Sequence, residues 1–185
     1  MTGGPGRDYG WVERLEAYCF TVVVGLGPDD VIRRLGGDPG ASARLTFEEC
    51  FWTVDAPQWA QVGEVGRGVL IAEHNGWRGE EAAGNLSARG RTACFCRDVS
   101  AAMRFSHAVD GVVLAAFDPL LDPAPAEGAD PACLDGLLAG LPFGLDAAEA
   151  SAMALLERVT GVRVTAEWLN RPQRAVQLPP LTPVS

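Results

Sequence analysis

The chain has 185 residues, 48% of them hydrophobic and 21% charged, with 22 Gly and 13 Pro. That composition describes one globular domain with long irregular connections, able to bury roughly 70% of its unfolded surface without help from disulfides or metal. All 15 basic residues are Arg, and against 24 acids they leave a formal net charge of −9, so no basic stripe exists to neutralise phosphates and nucleic acid is not expected as a partner. No apolar run reaches the length of a membrane span, about 18 residues, and the Gly-rich opening lacks a leader-like stretch, so a cytoplasmic protein without membrane contact is expected. The five cysteines are odd in number and none stands in a C-x-x-C spacing, which argues against a disulfide framework or a zinc ribbon and leaves no metal or other cofactor expected.

In chain order, residues 1–10 read as a flexible start, 11–16 as a short helix and 18–24 as a β-branched and aromatic strand. The segment 28–35 is the clearest helix. Pro28 suits its first position, Asp29 and Asp30 face its positive end, Arg33 and Arg34 fall in its last turn and Gly36 stops it. Strands are predicted at 45–54 and 69–74, separated by a polar connection, followed by a weaker helix at 80–89. A strand at 91–99 precedes a hairpin of 103–109 and 112–117 around Asp110-Gly111, a pair suited to a turn with positive φ at both positions. A two-residue loop sets Val109 against Val112, His107 against Leu114 and Phe105 against Ala116.

Residues 118–131 hold four prolines and four acids and cannot be helix or central strand. Helices are predicted at 132–138, 146–160 and 164–169, and an extended Pro-rich tail at 171–185. The order gives an α+β fold: a mainly antiparallel sheet of about six strands with helices packed on one face, within a single domain over 11–170.

Several stretches carry a resemblance. They are Tyr18-Cys19-Phe20-Thr21-Val22-Val23-Val24-Gly25-Leu26 with Val31-Ile32-Arg33-Arg34-Leu35-Gly36, then Glu73-His74-Asn75-Gly76-Trp77, Arg104-Phe105-Ser106-His107-Ala108-Val109-Asp110-Gly111 and Leu156-Glu157-Arg158-Val159-Thr160-Gly161-Val162. Together they resemble an uncharacterised actinobacterial domain-of-unknown-function family over most of the chain. The resemblance implies a compact single domain and no particular chemistry. It also implies that His74 and His107 depart from the family pattern, in which position 74 is acidic and position 107 aromatic.

The candidate ligand or partner residues are Glu73, His74, Asn75 and Trp77, a carboxylate, an imidazole, an amide and an indole gathered where a strand ends. The competing structural explanation is a turn with positive φ at Asn75-Gly76 and an indole packed over the sheet. His107 is a candidate general base, or else a hydrogen-bonded core histidine. Cys94 and Cys96 share one strand face roughly 7 Å apart along the chain, too far for easy disulfide geometry, and a zinc site needs Cys19, Cys50 or a histidine to converge on them. The nucleotide-binding, serine-hydrolase and zincin motifs are missing, so no catalytic residue is assigned and an enzyme is the less favoured expectation.

Residues 118–149 carry seven acids and no Arg. Asp118, Asp122, Glu127, Asp130 and Asp135 are therefore a candidate surface for a basic protein partner. The expected function is a small non-catalytic interaction or accessory module, for example one resembling an immunity protein. The alternative is an enzyme or small-molecule binder with a pocket near 73–77 and His107.

Overall fold

The structure, a computed structural model, describes residues 7–52 and 58–179. The first six residues of the flexible start and the last six of the tail lie outside the described residues. Its frame is one sheet of nine strands: β1 Tyr18–Val24, β2 Ser42–Leu45, β3 Trp59–Val65, β4 Gly68–Glu73, β5 Arg91–Arg97, β6 Met103–Val109, β7 Val112–Asp118, β8 Asp122–Glu127 and β9 Gln173–Gln177. The spatial order is β2-β9-β3-β4-β1-β5-β6-β7-β8, and all neighbours run antiparallel. The α+β class with an antiparallel sheet is thus present, but the sheet has nine strands, not about six.

The strand expected at 45–54 does not form. A helix, α2 (Phe47–Trp52), stands there instead, and residues 53 and 54 lie outside the described residues. The cause is a capping box: the Glu49 carboxylate accepts from the Thr46 backbone N–H at 2.7 Å, and the Thr46 hydroxyl accepts from the Glu49 N–H at 3.2 Å. Four strands lie where the sequence suggests none. β3 runs through the supposed polar connection, where the buried Gln61 donates both N–H groups of its amide, to the carbonyls of Leu45 and Leu169. β8 takes the sheet edge, where proline is tolerated because one side of the strand has no ladder partner, and its pairing with β7 is irregular between Ala116 and Asp118. β9 is extended as expected for 171–185, but it pairs on both sides, with β2 and β3.

Helices cover both faces of the sheet rather than one. On the first face, Phe20, Phe95, Phe105 and Leu70 pack against Met153, Leu155 and Leu156 of α6 (Ala148–Thr160). Each such fully buried side chain contributes about 1.5–3 kcal/mol. Two hydroxyls pin this helix down, Tyr18 donating to Glu149 at 2.6 Å and Tyr9 to Glu157 at 2.7 Å. Gly161 stops it in the left-handed conformation, φ 68°. On the second face, Val23, Val62, Ile71 and Val176 pack against Val31, Ile32 and Leu35 at α1 (Pro28–Arg34) and against Leu86. Leu86 belongs to α4 (Ala83–Leu86), which with α3 (Arg78–Glu81) replaces the longer helix expected at 80–89. The segment 11–16 is reduced to a 3-10 turn at Val12–Arg14. Near the C-terminus lie α5 (Asp135–Leu138) and α7 (Ala166–Asn170), the latter started by the Thr165 side chain, which accepts the Trp168 N–H.

The Asp110-Gly111 turn forms with φ 48° and 89°, and Val109 faces Val112. A bulge between His107 and Ala108 then shifts the register, so His107 faces Ala115 rather than Leu114, and Phe105 faces Phe117 rather than Ala116. Leu114 gives its carbonyl to the Asp130 N–H instead, at 2.9 Å.

Candidate functional site

The end of β4 divides the residues that the sequence groups together. Glu73 and His74 are consecutive, so the pleat sends their side chains to opposite faces. Glu73 faces the second layer and is completely buried, with Cys19 of β1 and Ala60 of β3 as its register neighbours. Its carboxylate accepts the Arg78 N–H at 3.1 Å, the Gly79 N–H at 2.8 Å and the Gln58 amide at 3.2 Å, and so starts α3. Burial pushes its pKa up to about 7 against the pull of those two backbone donors and the Arg78 charge. Asn75 is exposed in the turn at φ 51°. Gly76 must lack a side chain, because a Cβ there would collide with the Gln58 amide and the Glu73 carboxylate. Trp77, half-buried, packs over a cluster of three cysteines.

His74 turns to the first face and stacks near Phe51, ring centroids 4.2 Å apart, and near Phe47 at 5.5 Å. These rings border a cavity of about 470 Å³ that is also lined by Trp11, Leu15 and Leu169, with Arg14, Glu16, Glu48 and Asn170 bringing polar groups. Its size and mixed lining are those of a small-molecule site. Burial pulls the His74 pKa below the ordinary histidine value, partly opposed by the Glu16 charge, so at neutral pH the ring is a neutral, polarisable wall with one donor and one acceptor nitrogen. His107 is not in this cavity. It is buried in β6 with Nδ1 3.0 Å from the Thr92 carbonyl, and burial lowers its pKa.

The candidate acidic surface is also divided. Asp118 spends its carboxylate on the N–H groups of Leu120 and Leu121. Glu127 pairs with Arg104 at 2.8 Å, which lowers its pKa, and Arg104 in turn reaches Glu80 at 2.8 Å. The side chain of Asp122 lies outside those described. Asp130 and Asp135 remain exposed beside a 3-10 turn at Pro131–Leu134.

Sequence reasoning missed the convergence under Trp77. Cys19 lies directly opposite Cys96 across the β1–β5 ladder, their Cα atoms 4.0 Å apart, and the two are joined by a disulfide. This overturns the expectation drawn from the odd cysteine count, since 77 residues of separation hide a cross-strand pair. Cys94, one pleat along on the same face, brings its Sγ to 3.3 Å from Cys19 and 3.4 Å from Cys96, and accepts a hydrogen bond from the Thr21 hydroxyl at 3.0 Å. All three sulfur atoms lie within 4.8 Å of one another, a spacing that also suits a thiophilic metal ion.

Among the described residues no helix is long and apolar enough to cross a membrane. No curated protein and no solved structure matches the chain. The model of DUF6461, a family of unknown function, matches residues 5–181, and with the whole sheet and both helical layers inside that span, the chain belongs to this family.

Proposed function

We propose that the protein is a non-catalytic binding module whose ligand is a small planar molecule held in the cavity between Phe51, Phe47, His74 and Trp11. The observation that carries this is the cavity itself: about 470 Å³ of space faced by aromatic rings, with charged groups among its lining residues. A planar ligand stacks on His74 and Phe51 and gains apolar burial from Leu15 and Leu169. Arg14 and Asn170 supply donors for an acceptor edge of the ligand, and Glu16 and Glu48 supply acceptors for a donor edge.

The test is a titration with 8-anilinonaphthalene-1-sulfonate, an aromatic probe with a flat naphthalene ring and one anion, followed by dye fluorescence and by the loss of its quenching of tryptophan emission in Trp11→Phe. One equivalent is expected to bind the folded chain. Ala166→Trp, which fills the cavity from α7, is expected to abolish binding with the melting temperature preserved. Equal binding by that variant would remove the cavity from consideration. A second reading, a basic partner on the exposed Asp130 and Asp135, is weaker because Asp118 and Glu127 are already engaged by the fold. It requires an association rate that falls steeply with salt.

A further inference from the structure

On the face of the sheet away from the cavity, we infer that Cys19, Cys94 and Cys96 form one oxidisable site in which Cys19 exchanges its disulfide partner between Cys96 and Cys94.

Three observations carry this. The first is register: Cys19 and Cys96 are direct cross-strand neighbours, with Cα atoms 4.0 Å apart, and the bond joins them. The second is the position of Cys94, whose Sγ stands 3.3 Å from the Cys19 sulfur and 3.4 Å from that of Cys96, beside the bond, so that a side-chain rotation into line with it sets up the attack. Its own direct cross-strand neighbour is Thr21, so it approaches Cys19 along the diagonal, where Cα atoms stand roughly 7–8 Å apart; the two sulfur atoms already meet at 3.3 Å, and a small shift of the strands closes the rest. A bond between Cys94 and Cys96, two apart on one strand with Cα atoms roughly 6.6 Å apart, is also near the limit of disulfide geometry, and its appearance in place of a 19–94 link would overturn the exchange at Cys19. The third is enclosure: all three cysteines are fully buried, and the half-buried Trp77 packs over them.

The chemistry balances without a group the protein must store. A low-molecular-weight disulfide such as oxidised glutathione takes up the two electrons of the Cys19 and Cys96 thiols and leaves as two thiols, while the Sγ–Sγ bond forms. In the exchange step Cys94 loses its proton and attacks the Cys19 sulfur. The Cys19–Cys96 bond breaks, and its electron pair leaves on Cys96, which takes up the proton. The exchange has no net oxidation. Burial holds the Cys94 thiol protonated, against the hydrogen bond from Thr21, so exchange is slow in the closed fold and quickens where the cover lifts. That cover is the segment Trp77–Glu81, pinned by the Glu73 carboxylate on the N–H groups of Arg78 and Gly79. Gly79 sits so close to Thr21 that any side chain there would strike its hydroxyl.

The experiment uses the full chain, reduced and then treated with oxidised glutathione. Free thiols are trapped under acid denaturation and cross-linked peptides are mapped by mass spectrometry. Trypsin leaves Cys94 and Cys96 on one peptide, but chymotryptic cleavage after Phe95 separates them. The expected result for the wild type is two species, a majority linked 19–96 and a minority linked 19–94. Cys96→Ser is expected to shift the link wholly to 19–94, Cys94→Ser to lose the minority species, and Cys19→Ser to lose both. A wild type that keeps all three thiols alkylatable after the oxidant, or that yields only the 19–96 link under prolonged thiol catalysis, overturns the exchange, and neither outcome depends on a variant folding. A stoichiometric zinc or copper ion on the reduced protein, lost in Cys94→Ser, also overturns it and makes the cluster a metal site.

Discussion

Replacing Glu73 with Gln separates the cost of burying a charge from the hydrogen bonds that the carboxylate makes. In the folded protein the group titrates at about 7, against 4.5 for the same side chain in water. That gap corresponds to about 3 kcal/mol. Between those two values the folded state holds a proton that the unfolded chain has already released, so this group lowers stability as pH rises through the window. The Glu73→Gln side chain does not titrate, and its amide presents one acceptor oxygen to the Arg78, Gly79 and Gln58 donors, as the protonated carboxyl does at low pH. The two proteins are therefore of similar stability near about pH 4, and the variant is the more stable near about pH 8, with the difference between them growing by about 3 kcal/mol in total. Urea unfolding of both proteins at the two pH values measures this directly. Parallel stability profiles would refute the raised pKa of Glu73 and, with it, the idea that burial outweighs the pull of the helix-start donors.

Gly79→Ala places a methyl 2.1 Å from the Thr21 hydroxyl oxygen, and the β-branched Thr21 cannot swing away within a strand; a loss of about 1–3 kcal/mol on urea unfolding is expected, against no loss for Gly136→Ala inside α5, where a Cβ meets nothing within 4 Å. Gly111→Val strains a residue held at φ 89° and should lower stability by about 1–2 kcal/mol in thermal unfolding although the space around it is open. Trp77→Ala uncovers the cysteines. It should lower stability by about 2 kcal/mol, less than a fully buried Trp would, and should speed iodoacetamide labelling of Cys94 in the folded protein.

The legibility of the fold follows how local each determinant is. The 28–34 helix, the Gly161 stop and the Asp110-Gly111 turn are readable because their causes, capping charges and positive φ, sit within a few residues of the feature. The helix at Phe47–Trp52 is equally local, since Thr46-Phe47-Glu48-Glu49 spells its capping box, but the aromatic and β-branched residues around it mask that signal. β3 and β9 are hidden for another reason. Some of their polar side chains find partners more than a hundred positions away in the chain, as when Gln61 donates to Leu169 and Arg174 to Pro39. The candidate site is legible by residue and not by arrangement. Glu73, His74 and Trp77 all occupy functional-looking positions, but alternation along β4 sends His74 to the cavity and Glu73 to the cysteines. The convergence of Cys19 on Cys94 and Cys96 depends on which strands become neighbours, and one sequence does not state that.

The placement of β9 governs how this protein must emerge from a ribosome. The last strand among the described residues is an interior strand of the sheet, seated between β2 and β3, which were made more than a hundred residues earlier. Until residue 177 has left the exit tunnel, β3 presents an open edge and β2 has nothing to bind. A nascent chain in that condition offers a template for another nascent chain, and its closure waits on contacts of high sequence separation. Synthesis that stalls short of residue 173 therefore leaves a sheet with a vacant slot between two of its strands, not a smaller version of the same sheet.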